Sequence, residues 1–294
     1  MRADLHSHGG ILVRPTSLAV IGLGAIGGSL AWQARLAGVP RVAGFSLSRT
    51  DGVEALRASA ITELADTATR AMRGAELVVL AVPAQSTLDL IGRLRPALEA
   101  GAVMTDVCSV KAPVVARALA EGLGDRFAGG HPLAGTHASG FAAARPDRLR
   151  GCVVYVCETG APGADQAARR VMSFWERVLE AQPVLIDAVA HDRQLAWTSH
   201  LPQAVASALA KALADRGLAG LSFGTGARDT TRLAASSPEM WIDILLYNRA
   251  AVTEAIGAAE ASLAELQTLL AAGDADGLLR YLATAQRFRE GLDR

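Results

Sequence analysis

The sequence lacks the features that mark several protein classes. Among 294 residues there are three cysteines, Cys108, Cys152 and Cys157. An odd, sparse set without metal-ligand spacing makes neither a disulfide framework nor a zinc site. No metal is expected, and the thiols are read as reduced and buried in a cytoplasmic protein. An excess of charge of one sign is also missing. Lys plus Arg and Asp plus Glu are 29 each, giving a net charge of +0. With no basic surplus, nucleic acid is not an expected partner. No internal repeat and no low-complexity segment is found. Nor is there a membrane-spanning run. The uncharged stretch from Ser17 to Ala34, after Arg14, imitates a signal peptide, but it is studded with glycines and holds Trp32 and Gln33.

Apolar residues are plentiful. The hydrophobic share is 51%, enough for a substantial core, and the length suits two domains. Residues 1–16 carry no hydrophobic period and are expected to form a loose leader. From 17 to 188, short apolar runs alternate with helix-like stretches. Leu18–Gly22, Val42–Ser46, Leu77–Val82, Val103–Val107 and Val153–Cys157 read as strands. Their lack of polar alternation predicts burial on both faces, hence a parallel sheet covered by helices. Gly28–Ala37, Ser86–Glu99 and Ala112–Gly122 have helical spacing. The first domain is thus expected to be a Rossmann-type, doubly wound α/β fold.

Residues 189–294 read as all-helical, over Asp192–Arg216, Met240–Ala271 and Ala275–Leu292. Val252, Ile256, Ala259, Leu263, Leu266 and Leu270 alternate steps of four and three, an a/d-like seam. Spacing alone leaves open whether that seam packs within the chain or in a dimer. The chain ends with these helices, so no appended regulatory domain is expected.

Gly22-Leu23-Gly24-Ala25-Ile26-Gly27 is a GxGxxG placed directly after the first strand. The first glycine permits a tight turn, the second a close backbone approach to a pyrophosphate, and the third close packing of helix on strand. The helix start faces the phosphates. A lone GxGxxG says little, but a strand before it and a helix and second strand after it point to dinucleotide binding. NAD-binding proteins usually end the second strand with an acid that holds the ribose 2′-hydroxyl. Here Ser46, Leu47, Ser48 and Arg49 stand in that place. An acid would repel a 2′-phosphate, whereas Arg49 can pair with one. NADP is favoured, with NAD open. Val82 and Pro83, ending the third candidate strand, are expected to touch the cofactor.

Three segments carry the remaining polar residues in apolar or glycine-rich surroundings. They are Thr105–Lys111, Gly129–His137 and Arg228–Trp241. The first two fall at strand carboxyl ends, where open α/β sheets bind ligands. His131, read as lying on a glycine-rich loop, is a candidate base, with a structural role equally open at this point.

These segments closely resemble the prephenate/arogenate (cyclohexadienyl) dehydrogenase family. The match rests on GLGAIGGSL, DVCSVK, GGHPLAGT, the His191-Asp192 and Ser199-His200-Leu201-Pro202 helix, and ARDTTRLAASSPEMW followed by Tyr247-Asn248-Arg249. The motifs run in family order from about residue 17 to 290. The resemblance implies oxidative decarboxylation of a cyclohexadiene in tyrosine biosynthesis, with hydride passing to the nicotinamide. His131 then matches the residue that accepts the ring hydroxyl proton, and Ser109 a serine that orients it. Arg232 matches an arginine that grips a substrate carboxylate, as a fixed guanidinium can through two parallel bonds. Thr136, His137, His200 and Gln203 fall in the implied substrate pocket. Asp106 and Lys111 are expected to cap helices or support the site. Trp197 and Trp241 read as packing or pocket wall. The family also implies a homodimer through the C-terminal helices.

Two positions depart from the family pattern. Many members carry an acid where His137 stands, which suits the ammonium group of arogenate. Many prephenate-using members carry a second histidine where Gln203 stands. The two departures pull in opposite directions. The reading leans to prephenate, with arogenate and dual use open. A β-hydroxyacid dehydrogenase, the nearest rival, needs a catalytic lysine on its helical half. Lys211 is the only lysine there, in unsuitable surroundings. A non-catalytic dinucleotide sensor would not need Ser109, His131 or Arg232, and all three are present.

Overall fold

The computed structural model describes residues 14–135, 138–218 and 222–292. Most of the expected leader lies outside them, as do Thr136 and His137. Packing divides the chain into two compact units. The first runs to Gln194 and takes in Ala235–Tyr247, and the second comprises Leu195–Ala234 and Asn248–Arg294.

Among the described residues the first unit has eight strands: β1 (Ser17–Ile21), β2 (Arg41–Phe45), β3 (Glu63–Leu64), β4 (Leu77–Leu80), β5 (Val103–Asp106), β6 (Phe127–Pro132), β7 (Val153–Glu158) and β8 (Gln182–Leu185). They form one sheet in the order β3-β2-β1-β4-β5-β6-β7-β8. The strands from β3 across to β6 pair in parallel. β7 turns antiparallel to β6, which sets His131 opposite Tyr155, and β8 runs parallel to β7. The expected doubly wound sheet is present, with these two strands reversed against the purely parallel expectation.

Both faces are covered. Helices α1 (Ala25–Leu36), α2 (Arg49–Arg57), α3 (Ala68–Met72), α4 (Ala84–Leu94), α5 (Ala112–Ala120) and α6 (Ala164–Arg177) lie between strands, and α7 (Ala188–Leu195) follows β8. Along β1 the side chains alternate between two cores. Leu18 and Val20 join Leu30, Val42 and Trp175 in one. Ala19 and Ile21 join Val78, Ile91, Met104 and Phe127 in the other. That is why the strand is apolar at every position from Leu18 to Ile21.

The chain order reverses between β1 and β4. A crevice at such a switch point is where open α/β sheets bind ligands. Here Gly22 follows β1, and Ala81-Val82-Pro83 follows β4.

Past α7 the backbone makes one π-helical turn, Ala196–His200, before α8 (Leu201–Asp215). Pro202 explains the widened turn, since it has no N–H for the carbonyl four residues back and its ring crowds that carbonyl. Next come α9 (Thr225–Thr231), α10 (Pro238–Tyr247), α11 (Arg249–Ala272) and α12 (Ala275–Gly291). α10 belongs to the first unit. Ile244 enters its second core. Asp243 Oδ2 accepts from the Gln85 N–H at the start of α4 at 3.2 Å, and the Tyr247 hydroxyl donates to the Gln85 side chain.

In the second unit, Val252 and Ala255 of α11 are buried. Leu263 and Leu270, further along the seam, are 62% and 61% exposed. Leu279, Leu282 and Phe288 on α12 are exposed as well.

Candidate functional site

The glycine turn after β1 shows a separate steric reason at each glycine. Gly22 has φ +101, and a Cβ there would lie 2.2 Å from the Ala81 carbonyl oxygen. A Cβ on Gly27 would lie 2.0 Å from the Gly22 oxygen and 2.7 Å from the Ala81 Cβ. These two glycines hold β1, α1 and the end of β4 together. Gly24 differs, because a Cβ there would meet nothing within 4 Å. None of the described residues requires its bareness, so the space beside it suits a close ligand. Gly24 is also the N-cap of α1, makes no side-chain cap and precedes a first turn without acids. The N–H groups there, including those of Ala25 and Ile26, suit an anion. The cradle therefore fits a dinucleotide pyrophosphate.

At the end of β2, Ser46 is half-buried and Leu47 is exposed. Ser48 caps α2 by accepting from the Asp51 N–H at 3.2 Å. Arg49 opens that helix and is exposed. The Asp51 carboxylate accepts from the Phe141 N–H at 2.8 Å. At the end of β4, the Val82 carbonyl accepts from the Thr87 hydroxyl at 3.2 Å, and Pro83 is the N-cap of α4.

His131 does not sit on a loop. Gly129, Gly130, His131 and Pro132 all belong to β6. The glycines serve close approach instead of turning. A Cβ on Gly130 would lie 2.6 Å from the Asp106 carbonyl oxygen, and one on Gly129 3.3 Å from Lys111 Cδ. Beneath this strand, Asp106 and Lys111 are fully buried and ion-paired. Lys111 Nζ also donates to the Gly130 carbonyl at 2.7 Å. Asp106 accepts from the N–H groups of Cys108 at 2.8 Å and Gly130 at 3.1 Å. A buried pair is tolerable only when its remaining donors and acceptors are met in this way. Ser109 is half-buried on the loop between the two.

His131 is 7% exposed. Its Nδ1 lies 2.9 Å from His191 Nε2, and the rings meet edge to face at 5.1 Å. His191 Nδ1 lies 2.8 Å from Asp192 Oδ1. The Asp192 carboxylate also accepts from the N–H groups of Lys111 and Ala112, each at 2.8 Å, and so caps α5 from α7. Asp187 caps α7 in turn, accepting from Val189 and Ala190 at 2.9 Å. The Tyr155 ring stands edge-on to His191 at 5.4 Å. Burial lowers the His191 pKa, opposed by the bond to Asp192. Cys108 is pushed up to about 12, first by burial and then by Asp106, so it is a protonated, unreactive thiol.

Sequence reasoning gave no role to His191, Asp192 or Tyr155. The His191-Asp192 pair was visible as a motif, but its link to a histidine 60 residues earlier was not.

In the second unit, Gln203 is buried and donates to the Leu233 carbonyl at 3.0 Å, which ties α8 to the turn that Arg232 opens. Arg232 is exposed. His200 is buried, with Nδ1 at 3.1 Å from Asn248 Nδ2. Trp197 is 48% exposed. Trp241, in the first unit, packs against a core.

Residues 31–182 match the family described as prephenate dehydrogenase, nucleotide-binding domain. Residues 187–284 match prephenate dehydrogenase, dimerization domain. The chain belongs to the prephenate dehydrogenase family. It is 32% identical over 289 residues to the prephenate dehydrogenase of Bacillus subtilis, covering 94% of this chain and 76% of that one. It is 32% identical over 286 residues to the cyclohexadienyl dehydrogenase of Zymomonas mobilis, covering 94% and 95%. The Aquifex aeolicus prephenate dehydrogenase, solved with hydroxyphenyl propionate and NAD+, superposes with a TM-score of 0.85. That match is 29% identical and covers 94% of this chain and 98% of that one. Prephenate dehydrogenase family membership makes the protein a nicotinamide-dinucleotide-dependent oxidoreductase with a small-molecule substrate. Among the described residues no helix is long and apolar enough to cross a membrane, and no group of three or more His, Cys, Asp or Glu could hold a metal ion.

Proposed function

We propose that the protein is an NADP-dependent prephenate dehydrogenase. It converts prephenate to 4-hydroxyphenylpyruvate and carbon dioxide in tyrosine biosynthesis. The carrying observation is the buried His131, held through Nδ1, in the unit that also bears the glycine cradle. Gly22, Gly24, Ala25, Ile26 and Gly27 hold the pyrophosphate, Val82 and Pro83 line the cofactor, and the bound nicotinamide supplies the hydride acceptor. His131 takes the ring hydroxyl proton as the adjacent C–H bond loses its hydride, with Ser109 orienting the hydroxyl. The bond to the ring carboxylate breaks, its electron pair completes the aromatic ring, and the proton returns to the phenol oxygen. Arg232 grips a substrate carboxylate, and Thr136, His137, His200 and Gln203 contribute to the substrate pocket. The preference for NADP rests on Ser46, Ser48 and Arg49 after β2, where no acid is found, and on Asp51 being turned to the Phe141 N–H. The exposed leucines of α11 and α12 support a homodimer through the second unit. The free thiols support a cytoplasmic enzyme, and the balanced charge supports a small-molecule substrate and not a nucleic acid.

The test is cofactor reduction by the purified protein with prephenate or arogenate, each with NADP+ or NAD+. Fast turnover of prephenate with NADP+ is expected, abolished by His131→Asn while cofactor still binds. Faster turnover of arogenate would move the substrate assignment. No turnover of either acid by a protein that binds NADP+ would leave a dinucleotide sensor.

A further inference from the structure

We propose that His191 is a positioning residue. Held by Asp192, it accepts the Nδ1–H of His131 and so leaves the Nε2 lone pair of His131 as the proton acceptor. The inference rests on the reading of His131 as the base.

The argument is one of donors and acceptors. The Asp192 carboxylate accepts two backbone N–H bonds, from Lys111 and Ala112. An aspartate carboxyl is ionised at neutral pH and can then only accept. The 2.8 Å contact between His191 Nδ1 and Asp192 Oδ1 therefore carries its proton on His191. Burial disfavours a charged His191, and Lys111 adds to this, while Asp192 and Asp106 oppose. A neutral His191 with its proton on Nδ1 has a lone pair on Nε2. The 2.9 Å contact to His131 then needs its proton from His131 Nδ1. That places the remaining lone pair of His131 on Nε2. The hydrogen bond at one ring nitrogen thus decides the chemistry at the other.

When His131 accepts a proton at Nε2, its Nδ1–H is already directed at His191. The new positive charge lies two hydrogen bonds from the Asp192 carboxylate, so no group must reorient as it forms. A second proton on the pair is excluded, because two N–H donors would face each other across 2.9 Å. Among the described residues, the groups that face His191 are Asp106 at the end of β5, Lys111 before α5, His131 on β6, Tyr155 on β7 and Asp192 on α7.

The test compares full-length His191→Leu and His191→Gln with the wild type. Gln offers an amide oxygen where Nε2 stands, whereas Leu offers no acceptor. His191→Leu should lose kcat by at least ~10²-fold, the lower end of what a positioned base contributes. NADPH affinity, read by fluorescence titration, should not change. His191→Gln should recover most of kcat. The acid limb of kcat/KM should move to lower pH in both variants, further in Leu, because protonated His131 loses its Asp192-backed acceptor. Both variants at wild-type kcat with an unmoved limb would overturn the proposal. So would equal losses in both with an unmoved limb, which is a merely structural role. If His191→Leu does not fold, the limb in His191→Gln decides.

A second readout does not depend on turnover. Imidazole nitrogen NMR of the NADPH-bound protein should show His131 protonated on Nδ1 and unprotonated on Nε2. That pattern should shift or mix in the His191 variants, and an unchanged pattern would overturn the proposal. A wild type that turns over neither acid but shows this tautomer would sink the functional reading alone.

Discussion

Replacing Gly22 and Gly24 separately by alanine should split folding from cofactor binding. At Gly22 the φ of +101 is strained for any residue with a Cβ, and the new atom would lie 2.2 Å from a backbone oxygen. Strain of this kind costs about 1–3 kcal/mol, and forced overpacking about 1–3 kcal/mol more. Gly22→Ala should therefore destabilise the cofactor-free protein by about 2–6 kcal/mol. At ~2 °C per kcal/mol that lowers Tm by at least ~4 °C. Gly24 has φ −74 and ψ −161, open to any residue, and its Cβ would meet nothing within 4 Å. The entropic gain of about 0.4–1 kcal/mol from Gly→Ala is offset by the poor capping of alanine. Gly24→Ala should stay within about 1 kcal/mol of wild type. Its methyl group nonetheless enters the space assigned to the pyrophosphate, so NADPH affinity should fall tenfold or more, roughly 1.4 kcal/mol. Thermal unfolding without cofactor and fluorescence titration with NADPH read the two effects. Equal destabilisation by both variants, or wild-type affinity in Gly24→Ala, would refute the steric account.

Lys111→Met should cost about 3–5 kcal/mol by urea unfolding, since it strands the buried Asp106 carboxylate; a loss under about 1 kcal/mol would mean water reaches the pair. Arg49→Glu should raise KM for NADP+ at least ~10-fold and leave NAD+ little affected, because an acid at the start of α2 repels a 2′-phosphate; equal effects on both cofactors would remove Arg49 from that role. The folded-state pKa values of Cys108 and Cys157, about 12, exceed the ordinary thiol value of 9.0. The stability they contribute is complete below 9.0 and lost as pH rises toward 12, because the unfolded chain ionises first. Thermal unfolding across that window should show the loss, and iodoacetamide should label the two thiols only in denaturant.

The parts of the fold legible in sequence are those where burial alone dictates composition. β1, β4 and β5 lie inside the sheet with both faces covered, and apolar residues run unbroken over Leu18–Ile21 and Leu77–Leu80 and open β5 at Val103 and Met104. β6 is equally central but reads FAGGHP. Its glycines answer to the Asp106 backbone and the Lys111 stem, which no local pattern displays. β3 has two residues and β8 is largely exposed, so neither offers a run to detect. The glycine cradle is local and was readable residue by residue. The His131–His191–Asp192 chain joins residues 60 apart, and only the fold brings them together.

α10 makes the first unit discontinuous along the chain. A nascent protein that has emerged only as far as Gln194 lacks Ile244 for its second core, the Asp243 acceptor at the start of α4 and the Tyr247 partner of Gln85. The flank of α4 that these residues cover stays bare until Tyr247 has been made. Final consolidation of the dinucleotide-binding half is therefore tied to synthesis of most of the chain. No single cut, genetic or proteolytic, separates that half with its packing complete.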